Sequence, residues 1–88
     1  MADGINNMGE KVPKTVSIST AVLGTTWNIE VERAAVERVL GYEVSSAEEL
    51  IAETEARVLQ LASSVAVKVA RLSIDPPSVS LVDGEIVE

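Results

Sequence analysis

The chain reads as an α+β fold: an N-terminal β-hairpin, a short helix, a long helix and a C-terminal strand or small hairpin, packed as a homo-oligomer. Three observations lead there. Two stretches on either side of Gly24 alternate apolar with polar or small residues. Residues 46–72 begin with a helix-start signature and continue as an apolar run. That run is apolar around most of its circumference, which calls for burial nearly all round.

The hairpin comes first. Val16, Ile18, Thr20 and Val22 share one face, and Trp27, Ile29 and Val31 alternate with Asn28, Glu30 and Glu32. Glycine at the first central position of a two-residue loop signals a type II′ turn, here Gly24-Thr25. That loop predicts a register in which Val22 faces Trp27, Thr20 faces Ile29 and Ile18 faces Val31. One face is then apolar and the other polar or small, and a shift of one residue would destroy the sorting.

A short helix is predicted from Glu32 to Leu40, ended by Gly41 as a left-handed cap. Next, Ser46-Ala-Glu-Glu49 reads as a capping box, in which the serine hydroxyl and the glutamate carboxylate each satisfy a free backbone N–H. Glu48, Glu49 and Glu53 suit the positive end of the helix dipole. The helix is predicted to run to Leu72, before Asp75-Pro76-Pro77. From Val58 onward its polar residues, Gln60, Ser64, Lys68 and Arg71, form one narrow stripe. Residues 64–74 also alternate, so a strand competes with the helix there. In the tail, Asp83-Gly84 suggests a hairpin pairing Leu81 with Ile86; an edge strand or a docking arm fits equally. The segments are thus an N-terminal arm over 1–14, a domain over 15–74 and a C-terminal strand, hairpin or docking tail over 75–88.

Bulk composition narrows the function. The chain has 88 residues, one domain's worth, and buries only about 60–65% of its unfolded surface. It lacks cysteine and histidine, which removes disulfides and the usual strong zinc signatures. Oligomerisation is the remaining common support for so small a core. A net charge of −7 argues against phosphate-driven nucleic-acid binding and against anionic membrane surfaces. The chain shows no secretory signal and no apolar stretch of spanning length, so a cytoplasmic setting, or a virion or assembly interior, is expected.

Catalytic candidates are few. Glu49 and Glu53, four residues apart on a helix, could hold a hard cation, and Ser64 with Lys68 has the spacing of a Ser–Lys pair. Both fit solvated or interfacial faces better, Trp27 fits core or interface better than a ligand platform, and no glycine-rich phosphate loop is present. No enzyme activity, cofactor or metal is expected.

A strand followed by two helices, with Gly41 and Ser46 between them, resembles the ribbon-helix-helix DNA-binding dimers. The resemblance implies that Thr15, Ser17 and Ser19 face bases and that the second helix start receives phosphate. This sequence departs from the pattern: no arginine stands at those strand positions, Glu48 and Glu49 would repel phosphate, and the turn demands a second strand.

A continuous helix of about 26 residues spans about 39 Å, whereas a compact chain of this size is roughly 30 Å across. Another copy is the simplest cover. The reading is therefore a non-enzymatic homo-oligomeric assembly protein, with its interface at Trp27, Ile29, Leu61, Val65, Val69 and Leu72. The alternative is a small acidic inhibitor or decoy, of phage type, that occupies a cationic site on another protein; a ribbon-helix-helix-like regulator is third.

Overall fold

In a computed structural model that describes residues 12–87, the two alternating segments form strands β1 (Thr15–Val22) and β2 (Thr25–Glu32). Helices α1 (Arg33–Leu40), α2 (Ala47–Glu55) and α3 (Val58–Leu72) follow, and then strand β3 (Ser78–Leu81). The three strands make one sheet in the order β1-β2-β3, with β1 antiparallel and β3 parallel to β2. The α+β class is as the sequence predicts. Most of the arm predicted over 1–14 lies outside the described residues.

The hairpin forms with a different turn. Leu23 and Gly24 are its central residues, both at positive φ (52° and 85°), the mark of a type I′ loop. The pairs are therefore Thr20 with Trp27, Ile18 with Ile29 and Val16 with Val31, two residues away from the predicted register. A shift of two preserves the alternation of faces, so the sorting that argued for the first register allows this one equally. Both primed loops match the right-handed strand twist, and the I′ loop leaves β-branched Thr25 inside a strand. On the polar face, the Ser19 hydroxyl donates to Asn28 Oδ1 at 2.8 Å.

The strand ladder runs directly into α1. The Arg33 N–H donates to the Lys14 carbonyl at 2.7 Å, and the Arg33 guanidinium reaches the Val12 carbonyl at 2.9 Å. Gly41 closes α1 at a φ of 83°, its N–H on the Glu37 carbonyl. At the start of α2, the Glu49 N–H donates to Ser46 Oγ at 3.0 Å. The reciprocal half of the box falls one residue early, since the Glu49 carboxylate accepts from the N–H and hydroxyl of Ser45.

The predicted long helix is broken at Ala56-Arg57, which corrects the rod. Arg57 leaves helical geometry at φ −110° and ψ 24°. In an unbroken helix its N–H would bond the Glu53 carbonyl. Here that N–H bonds the Thr54 carbonyl, and the Arg57 guanidinium takes the Glu53 carbonyl at 2.9 Å and its carboxylate at 2.8 Å. The side chain thus replaces the backbone donor at the Glu53 carbonyl. What remains of the apolar run, α3, is helical rather than extended, and its 15 residues span about 22 Å. The excess length that called for a second copy is gone.

Helices cover one face of the sheet, α1 against β2, α2 against β1, and α3 against β1 and β3. Between the layers sits an aliphatic core in which Ile29, Val31, Val36, Leu50, Leu61, Val65 and Leu81 are fully buried. The opposite face is open and polar, with Ser17, Ser19, Asn28, Glu30 and Ser78 exposed. The tail takes the edge-strand form rather than the hairpin. Asp83-Gly84 does turn, with the Glu85 N–H on the Val82 carbonyl, but Leu81 pairs with Val31 of β2. Ile86 instead joins the core. Among the described residues, no helix is long and apolar enough to cross a membrane.

Candidate interaction surface

The polar stripe of α3 clasps the tail through Gln60, Ser64 and Lys68, while Arg71 at its end stays mostly exposed. The Ser64 hydroxyl, only 1% exposed, donates to the Gln60 carbonyl and accepts the Val87 N–H, both at 2.8 Å. Gln60 Nε2 donates to the Val87 carbonyl at 2.7 Å. Lys68 Nζ reaches the Ser80 carbonyl at 2.7 Å and the Glu85 carboxylate at 2.6 Å. The Ser64 proton is thus committed to a backbone carbonyl and the Lys68 ammonium to a strand and a carboxylate. The pair functions as a structural tie.

Charge reinforces the clasp. Burial raises the Glu85 pKa, but the Lys68 bond, the Val82 N–H and the positive charges of Lys68 and Arg71 outweigh it and hold the carboxyl below its ordinary value. Asp83 is likewise lowered, chiefly by its side-chain bonds to Arg38. Those bonds are bidentate, from guanidinium Nε and Nη2 to the two carboxylate oxygens. This fork was invisible in the sequence, because Arg38 and Asp83 lie on different elements 45 residues apart.

Glu49 and Glu53 point to separate tasks. Glu49 caps α2 through Ser45, and Glu53 pairs with Arg57 and accepts a long bond of 3.4 Å from the Tyr42 hydroxyl. The Tyr42 pKa is raised by burial and by the charges of Glu53 and Glu49. Among the described residues, no three acidic side chains come together as a metal cluster. The strand positions singled out by the ribbon-helix-helix resemblance, Thr15, Ser17 and Ser19, lie opposite Glu32, Glu30 and Asn28, so carboxylates flank them.

The six residues expected at an interface separate into groups. Trp27, Ile29, Leu61 and Val65 lie in the core of the single chain, and Val69 packs against it. Leu72 alone is exposed, at 52%. What the structure leaves bare is the opposite side of α3, with Leu59 at 81% and Val67 at 55% exposed, in line with exposed Ser63 and Ala70. Spacing carries this signal: with Leu61 and Val65 inward, positions 59, 63, 67 and 70 fall on the far side. At the helix's other end, Ala66 and Ala70 border a cleft of about 210 Å³ shared with Val22, Leu23 and Trp27 of the hairpin.

No family model, curated protein or solved structure matches the chain.

Proposed function

We propose that this chain is a non-enzymatic homo-oligomeric interaction or assembly protein. The observation that carries the reading is the outer face of α3, where Leu59 and Val67 stand in water along an uncharged line with Ser63 and Ala70. In a molecule of net charge −7, an uncharged apolar face is where two copies approach at least electrostatic cost. Burying such a side chain contributes about 1.5–3 kcal/mol. Two copies of the face therefore supply several kcal/mol against an association cost of roughly 4–15 kcal/mol. That supports weak contact by this face alone, and firmer assembly requires additional surface.

Sedimentation or light scattering across micromolar to millimolar concentration tests the reading. The expected result is a mass that rises in whole multiples of 9.3 kDa, and a single copy throughout refutes it.

Charge favours a second reading, an acidic inhibitor or decoy that occupies a cationic site on another protein. Glu30 and Glu32 on β2 and the −7 balance support it. Such binding weakens as salt shortens the Debye length to about 3 Å at 1 M, so a partner retained at that salt concentration counts against it.

A further inference from the structure

We propose that β1 is a docking edge for a second copy of this chain, the two β1 strands pairing antiparallel about Ile18 into one continuous six-stranded sheet. The inference rests on the self-association reading and supplies the surface that the α3 face lacks.

Backbone parity exposes the edge. The Arg33 N–H bonds the Lys14 carbonyl, which places Lys14 in the hydrogen-bonded set of the ladder. Alternation then turns the backbone groups of Val16, Ile18, Thr20 and Val22 toward β2. Thr15, Ser17, Ser19 and Ala21 turn theirs outward. Among the described residues, no strand pairs with that side.

The two sheet edges are treated differently. β3 is four residues long, follows Pro76-Pro77 and ends near Asp83, and shortness, proline and charge all blunt an edge. β1 has eight residues, TVSISTAV, with no charge and no proline inside it, Pro13 and Lys14 standing just before it; its length, twice that of β3, is what leaves the edge open. It is rich in β-branched residues, which favour strands.

A second copy is the occupant because the strand is its own complement. Residues 15–21, TVSISTA, form a near-palindrome about Ile18, valine matching its isostere threonine. Antiparallel pairing on that centre sets Ser17 opposite Ser19, Thr15 opposite Ala21, Val16 opposite Thr20 and Ile18 opposite itself. All four outward residues fall on hydrogen-bonded positions, and the apolar residues of both copies stay on one side of the joined sheet. The same register carries Leu23, which is 91% exposed, to Pro13 of the other copy.

One group opposes the contact. Glu55 lines a groove of about 450 Å³ with Ser17, Ile18, Ser19 and Val58, so pairing brings two such carboxylates toward the axis. Association therefore strengthens with salt.

Sedimentation of three variants tests the edge. In Ser17→Lys/Ser19→Lys, each lysine faces Glu30 or Asn28 within its own hairpin but faces the other lysine across the joined edge. Association is expected to weaken at least tenfold while thermal unfolding of the single copy is retained. Ser17→Pro removes an N–H that the β2 ladder does not use and gives the same loss if the lysine pair disturbs the fold. Ile18→Cys introduces the chain's one thiol at a non-hydrogen-bonded pair about 4.5 Å apart in Cα positions, within disulfide reach. Mild oxidation is expected to give a covalent dimer. A wild-type chain that stays single at every concentration overturns self-association and the edge together. Self-association that survives the lysine and proline variants, with Ile18→Cys uncrosslinked, overturns the edge alone. So does self-association abolished by Leu59→Glu/Val67→Glu but unmoved by the edge variants.

Discussion

A leucine held at a φ of 52° with nearly all its surface in water is unfavourable twice over. The left-handed conformation costs an L-residue roughly 1–2 kcal/mol, and among the described residues nothing covers the side chain in exchange. Asparagine visits that conformation readily, and Asn-Gly is the preferred type I′ pair. Leu23→Asn is therefore expected to stabilise the single copy by about 1 kcal/mol, read as a higher urea midpoint at low concentration with an unchanged slope. A lower midpoint would show that the Leu23 side chain contributes packing that its exposure conceals. The same residue explains the misplaced register. Composition rules assign glycine, not leucine, to the first central position of a tight turn, which places the loop at Gly24-Thr25. Face sorting could not correct it, because a slip of two leaves every side chain on its own side.

At the scale of elements, local signals were legible and long-range ones were not. Strand alternation, the Gly41 stop and the Ser46 start all depend on neighbours within four residues, and each element lies where those signals put it. The break in the long helix depends on Arg57 donating to Glu53, a competition between side chain and backbone that periodicity does not register. The polar stripe of α3 was legible as a stripe, but its partner, the tail, was not. That clasp makes a pH prediction. Asp83 and Glu85 have pKa values below their ordinary 3.8 and 4.5, so the unfolded chain binds their protons more readily than the folded one. Their contribution is complete above about pH 5 and drains as pH falls below the ordinary values and through the lowered ones. The protection of the Val82 and Val87 amides, whose N–H groups bond Glu85 and Ser64, measured as exchange relative to the intrinsic rate at each pH, is expected to fall between about pH 4.5 and pH 3. That loss should exceed what the β1–β2 ladder shows over the same interval. Equal loss in both would assign the acid response to the whole fold rather than the clasp.

For the whole molecule, the decisive feature is that the last strand closes the sheet. β3 lies parallel beside β2 although α1, α2 and α3 separate them in sequence, and a parallel neighbour requires such a crossover. No turn announces that pairing, which is why residues 75–88 read from sequence as a strand, a small hairpin or a docking tail beside the 15–74 domain rather than as part of its sheet. The structure makes them structural, with Val79, Leu81 and Ile86 in the core and the backbone of Asn28 bonded to Pro77 at 2.6 Å. Large aliphatic truncations in cores cost about 2–5 kcal/mol each, and a small domain has only about 5–15 kcal/mol in total. Removing residues 76–88 takes away three core side chains and a whole strand, uncovers Ile29 and Val31, and strands the Lys68 ammonium. The fragment 1–75 is therefore expected to lose cooperative urea unfolding, whereas Leu81→Ala in the full chain keeps a sigmoidal transition lowered by about 2–5 kcal/mol. Far-UV circular dichroism through a urea titration separates the cases. A fragment that unfolds as sharply as the intact chain would mean that the hairpin and helices suffice, and that β3 only decorates an edge.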